Sequence, residues 1–66
     1  MANLIDVEKI QKFLEEKNLS KMQFCKLADI SENVFEQIMT QDFDFRASNL
    51  FKVVRLMKIK IWQIFK

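Results

Sequence analysis

The 66-residue chain contains no histidine, glycine, proline or tyrosine, and it has a single cysteine. One cysteine cannot close a disulfide within the chain, and a Cys/His metal site cannot form without histidine. The lack of glycine excludes the glycine-rich loops that hold nucleotide phosphates. A chain this short also cannot hold an enzyme-sized cleft beside its own core. We therefore expect no catalytic site, no metal and no cofactor.

Long apolar runs are also missing. No run approaches the roughly 18 residues that a membrane-spanning helix needs, and residues 1–6 are too short and too acidic for a signal peptide. Half of the residues are hydrophobic and 30% are charged, which is the balance of a folded globular protein. These features predict one domain over residues 1–66 in the cytoplasm, with no membrane partner.

Charge is unevenly distributed along the chain. Residues 1–45 have five lysines and nine acidic residues, a net charge of −4, whereas residues 46–66 have six lysines and arginines and no acid, a net charge of +6. The C-terminal third is therefore strongly basic.

Caps and hydrophobic periodicity divide the first half of the chain into helices. Apolar residues recur at three- and four-residue spacing over residues 6–17, and Asn18 is suited to the left-handed residue that ends a helix. Ser20 and Gln23 then form a capping-box pattern. The patterns predict an amphipathic first helix and a second helix over about 21–28.

The second half of the chain continues in the same way. Ser31 is a cap for a third helix over about 32–39, and a polar loop follows over 40–46. The periodicity then predicts a fourth helix from near Ala47 and a short closing helix over 61–65. The sequence thus predicts an all-α fold with five helices.

Two short helices joined by a three- to four-residue turn describe a helix-turn-helix. The strings that carry the pattern are Leu19-Ser20-Lys21, Phe24-Cys25, Ile30-Ser31 and Leu50-Phe51-Lys52-Val53-Val54. In order and spacing they resemble the phage-repressor and Cro-like (XRE-type) regulators from about Ile10 to Phe65. Three positions depart from that family's commonest residues, with Cys25 for a small residue, Asp29 for glycine and Phe35 for an aliphatic residue.

The resemblance implies a compact five-helix bundle of the lambda-repressor-like type. It also implies a sequence-specific regulator of transcription that binds double-stranded DNA, a repressor acting as a homodimer on a palindromic operator. Such a protein is prokaryotic or phage-encoded and associates with the nucleoid.

The outward side chains of the third helix are the candidate readers of DNA bases. They are Glu32, Asn33, Glu36 and Gln37. Asparagine and glutamine can pair with adenine, and glutamate can accept from cytosine N4. By resemblance, Glu32, Asn33 and Gln37 occupy base-reading positions. The alternative is that all four are solvated residues of an ordinary surface helix.

The resemblance further implies that Lys21, Ser31 and Arg46 contact phosphate or the minor groove. The later cations either widen the positive field around DNA or form a solvated helix face; they are Lys52, Arg55, Lys58 and Lys60. Residues 29–44, however, contain five acids and no base, which opposes attraction to phosphate. A second function therefore stays open, in which the fold binds another regulatory protein and binds DNA weakly or not at all.

Trp62 is unusual for a closing helix of this family. Beside Leu56 and Phe51 it would form an apolar patch, and we predict Leu56 and Trp62 at a dimer interface. The alternative is that Trp62 folds over the first helix and enlarges the core.

Overall fold

Four α-helices and one 3₁₀ turn make up most of residues 4–66, the part of the chain that the computed structural model describes. The helices are α1 (Val7–Lys17), α2 (Lys21–Ala28), α3 (Glu32–Met39) and α4 (Ala47–Met57), followed by the 3₁₀ turn Ile61–Ile64. The all-α class is confirmed. The first three residues of the segment considered as a signal peptide lie outside the described range, and within residues 4–66 no helix has the length and apolarity needed to cross a bilayer.

The predicted caps fix the helix ends. The Ser20 hydroxyl accepts from the Gln23 amide (3.1 Å), and the Gln23 side chain accepts from the Ser20 amide (2.9 Å), so the capping box is complete. The Ser31 hydroxyl accepts from the Val34 amide (3.1 Å) at the start of α3. These bonds satisfy amides that lack a partner within the helix, which explains why α2 and α3 begin at the predicted residues.

Helix ends without glycine use other residues in the left-handed conformation. Asn18, Asp29 and Lys58 end α1, α2 and α4 with φ values of 55°, 62° and 59°, and Gln41 follows α3 with φ 64°. Asparagine and aspartate tolerate this conformation best, whereas for other residues it costs roughly 1–2 kcal/mol. Lys58 and Gln41 therefore carry the larger strain.

The core lies where α1, α2, α3 and α4 converge. Its buried hydrophobic residues are Ile5, Ile10, Phe24, Cys25, Ala28, Phe35, Ile38, Leu50, Val53, Val54, Met57 and Ile64. Phe24 is at its centre, with edge-on contacts to Phe13 (6.0 Å between ring centroids) and to Phe35 (5.5 Å). Cys25 is buried beside them, as expected for a core residue replacing a small one.

The prediction of five helices is wrong, because residues 61–64 form a single 3₁₀ turn and not an α-helix. Phe65 leaves the turn in an extended conformation and lies opposite Ile5 in an antiparallel bridge. Lys66 donates its amide to the Leu4 carbonyl (2.8 Å). Pairing with the N-terminal segment requires an extended backbone, and this ends the helical pattern early.

The Gln41 side chain holds the same N-terminal segment from its other edge. The Ile5 amide donates to Gln41 Oε1 (3.0 Å), and Gln41 Nε2 donates to the Ile5 carbonyl (2.8 Å). On the opposite edge the Asp6 amide donates to the Ile64 carbonyl (2.8 Å). The Gln41 amide thus takes the place of a neighbouring strand, and it lets Ile5 be fully buried with its backbone polar groups satisfied.

Candidate nucleic-acid interface

A three-residue connection, Asp29–Ser31, joins α2 to α3. Asp29 is left-handed, and Ile30 is half-buried with its amide donating to the Cys25 carbonyl (3.0 Å). Contact between Phe24 and Phe35 holds the two helices together below this connection. The short connection and the packing together hold α2 and α3 against each other.

The predicted base readers do not all have the same environment. Glu32, Asn33 and Glu36 are exposed on α3. Gln37 is half-buried, and its Nε2 donates to the Asp44 carbonyl in the loop that follows α3 (3.3 Å). The first turn of α3 therefore presents Glu32 and Asn33 to solvent, whereas Gln37 is tied to the loop.

Two of the predicted DNA contacts are bonded to each other. Lys21 Nζ, at the start of α2, lies 2.6 Å from Glu36 Oε2 on α3. The hydrogen bond and the charge of Glu36 raise the pKa of Lys21 above its ordinary value. Lys21, which is predicted to contact phosphate, is thus paired with Glu36, which is predicted to read bases.

The other two predicted phosphate contacts lie just before helices. The Ser31 hydroxyl is used as the cap of α3. Arg46 is exposed immediately before α4, and its side chain makes no capping bond there. The Arg46 guanidinium remains the more accessible of the two.

The acids of residues 29–44 are only partly compensated. Lys21 pairs with Glu36, and Lys52 Nζ lies 3.5 Å from Asp29 Oδ2. Lys52 also donates to the Asp29 carbonyl (3.2 Å), so it completes the end of α2. Sequence reasoning missed this role because the two residues are 23 positions apart. Glu32 and the two loop acids keep the surface around α3 negative.

Trp62 is 68% exposed, so the alternative that it enlarges the core is wrong. Leu56 is half-buried and lines a surface groove with Leu27, and Trp62 does not line that groove. Phe51 is also half exposed. The dimer interface at Leu56 and Trp62 stays a prediction.

The chain matches no protein-family model, and no curated protein or solved structure matches it either.

Proposed function

We propose that this chain is a sequence-specific DNA-binding regulator of the helix-turn-helix type. The observation that carries the proposal is the packed pair α2 and α3, joined by three residues, with the first turn of α3 exposed. In such a pair the second helix enters the major groove and its N-terminal residues meet base edges. The protein would act without catalysis, in the cytoplasm, as a repressor.

Within this proposal the residues have distinct tasks. Asn33 reads adenine and Glu32 accepts from cytosine N4, since both are exposed in the first turn of α3. Gln37 reaches a base only after its bond to the Asp44 carbonyl breaks. Lys21 reaches phosphate only after it leaves Glu36. Binding is therefore expected to be weak for a single chain.

Dimerisation is expected to increase the affinity for DNA above that of a single chain. The chain extends 30 Å along its longest axis and 18–20 Å across it, so one copy covers one half-site. Two copies on half-sites about 34–36 Å apart would read a palindromic operator. Homodimerisation through Leu56 and Trp62 is part of the proposal.

Selection from a random pool of duplex DNA, followed by binding measurements on Asn33→Ala, tests the proposal. Loss of a base contact should cost about 1–3 kcal/mol on the selected site and change affinity for random DNA little. Gln11→Ala, at an exposed amide on α1, is the matched control and should bind like the parent. Equal losses on both DNAs, or failure of the pool to yield any site, would reject base reading by α3.

A second candidate is favoured by the negative surface of residues 29–44, which have five acids and no base. In this alternative α3 contacts a basic surface of another regulatory protein and not DNA. Gel mobility with random duplex at low salt separates the two, because phosphate attraction is strongest there. A complete lack of binding under those conditions favours the protein partner.

A further inference from the structure

A surface groove runs along the side of α2 that faces away from α3. It consists of a depression of ≈ 420 Å³ and an adjacent one of ≈ 190 Å³, which share Leu27 and Leu56. No residue of α3 lines either depression. Leu27 follows Lys21 by six residues and is therefore about 120° around α2 from the side chain that contacts Glu36.

The floor of the groove is apolar and open to solvent. Leu27 is 60% exposed, and Phe13, Leu19 and Leu56 beside it are half-buried. An isolated exposed leucine is common on protein surfaces, but a concave cluster of four apolar side chains is typical of a binding site. Covering Leu27 with another apolar group would remove this surface from water.

The rim of the groove is basic. Lys17 and Lys58 line the larger depression, and Lys52 and Arg55 line the smaller one. Asp29 is the single acid among the lining residues, and it is bonded to Lys52. Among residues 4–66, Lys17, Arg55 and Lys58 form no ion pair with an acid. The groove thus combines an apolar floor with three uncompensated cations.

We propose that this groove binds an acidic amphipathic helix of a partner protein. A helix in a groove places apolar side chains at spacings of three and four residues against the floor. Carboxylates on its flanks would then meet Lys17, Arg55 and Lys58. The site shares no residue with the exposed turn of α3, although it shares Leu56 with the proposed dimer interface, so a partner helix and a second copy would compete for that side chain.

Nucleic acid fits this groove poorly. The phosphate backbone would satisfy the cations but would offer no apolar side chain to cover Leu27. An acidic helix supplies both kinds of contact.

A second copy of the chain that docks through α3 or the loop after it fits this groove less well than a partner helix. Within residues 4–66, none of the exposed large hydrophobic residues is on α3, and the loop that follows α3 has Phe43 between Asp42 and Asp44. Insertion of that loop into the groove of another copy would be a head-to-tail contact, which produces rings or open filaments and not a two-fold dimer.

The test measures binding of a fluorescein-labelled 16-residue helical peptide with leucines on one face and glutamates on the other. We expect a Kd tighter than about 1 mM, weakening as salt rises. A peptide with lysine in place of glutamate, and a scrambled peptide of the same composition, should bind at least about tenfold more weakly. Amide chemical-shift changes should map to Leu27 and Leu56 and leave Asn33 unaffected.

Matched variants locate the site. Leu27→Glu should weaken peptide binding by about tenfold or more, whereas Met22→Glu, at an equally exposed position on α2 outside the groove, should not. Replacing Lys17 and Lys58 together by glutamine should weaken binding about three- to tenfold at low salt. The same change at Lys60 and Lys66, which do not line the groove, should have little effect.

Three results overturn the proposal. Failure of the acidic peptide to bind, or equal losses in Leu27→Glu and Met22→Glu, would exclude the groove as a site for this class of partner. Sedimentation of the unliganded chain as concentration-dependent oligomers that Phe43→Ala abolishes would assign the groove to a second copy. Shift changes in the groove on addition of duplex DNA alone would assign it to nucleic acid.

Discussion

Replacing Glu36 by glutamine removes a carboxylate from the exposed face of α3 and releases Lys21 at the start of α2. The two side chains are about half exposed, at 54% and 45%, so solvent screens their pair and its loss should cost little stability. The Lys21 ammonium is then free to contact a phosphate. The variant should therefore keep its fold and bind DNA more tightly.

The magnitude follows from the release of counterions. One added phosphate contact increases the slope of log K against log salt by about 0.9, which corresponds to about 15-fold tighter binding at about 50 mM salt and about fourfold at about 200 mM. Removal of the carboxylate itself adds a smaller gain that salt also screens. The gain in DNA affinity should therefore fall from about 15-fold at about 50 mM salt to about fourfold at about 200 mM.

Fluorescence anisotropy with a random duplex, at several salt concentrations, measures both quantities. Glu15→Gln removes the same charge from an exposed position on α1 and should leave the slope unchanged. In a Lys21→Ala background, Glu36→Gln should no longer increase the slope, because the coupled group is gone. An equal gain with and without Lys21, or no gain at low salt, would refute the argument that Glu36 withholds Lys21 from DNA.

Three further predictions concern stability and reactivity. Gln41→Ala leaves the Ile5 amide without a partner and removes one of the two bonds that the Ile5 carbonyl accepts, so it should cost about 1–3 kcal/mol, measured by thermal unfolding, and an unchanged melting temperature would contradict it. Lys58→Gly relieves a left-handed lysine and should stabilise the chain by about 1 kcal/mol in urea unfolding; a loss of stability would show that the strain is smaller than the entropy that glycine adds to the unfolded chain. Burial raises the pKa of Cys25 above its ordinary value of 9.0, so the folded state keeps the proton and stability should fall as pH rises above about 9. Iodoacetamide at pH 8 should accordingly react slowly with the native chain and rapidly in denaturant, and equal rates would place the thiol at the surface.

The helices could be predicted because their signals are local. Ser20 and Gln23 are three residues apart, and Ser31 immediately precedes α3. Each cap can therefore be recognised from residues within one helical turn of it. Asn18 and Asp29 adopt the left-handed conformation for the same reason, since their short polar side chains tolerate it. Local chemistry was sufficient to locate both ends of α2.

The features that were missed join distant residues. Gln41 and Ile5 are 36 positions apart, and no local pattern marks a loop glutamine as the partner of an N-terminal backbone. Lys21 and Glu36 are 15 positions apart, and each had a separate interpretation as a DNA contact. The prediction of a closing helix was wrong for a related reason. The apolar spacing of residues 61–65 fits an α-helix, but it fits equally well a 3₁₀ turn followed by a bridge to the distant Ile5.

The position of the C-terminal cations limits how DNA could be bound. Lys52, Arg55 and Lys58 line a groove that includes no residue of α3, so their charges do not compensate the acids on that helix directly. Within the proposed interface this leaves Arg46 as an exposed cation and Lys21 as one that must first leave Glu36. Since each phosphate contact adds only about 0.9 to the salt slope, a single chain should show a shallow slope, and two chains on an operator should roughly double it. A steep slope from a monomer would require the groove cations to contact DNA, and it would place the duplex on the opposite side of α2.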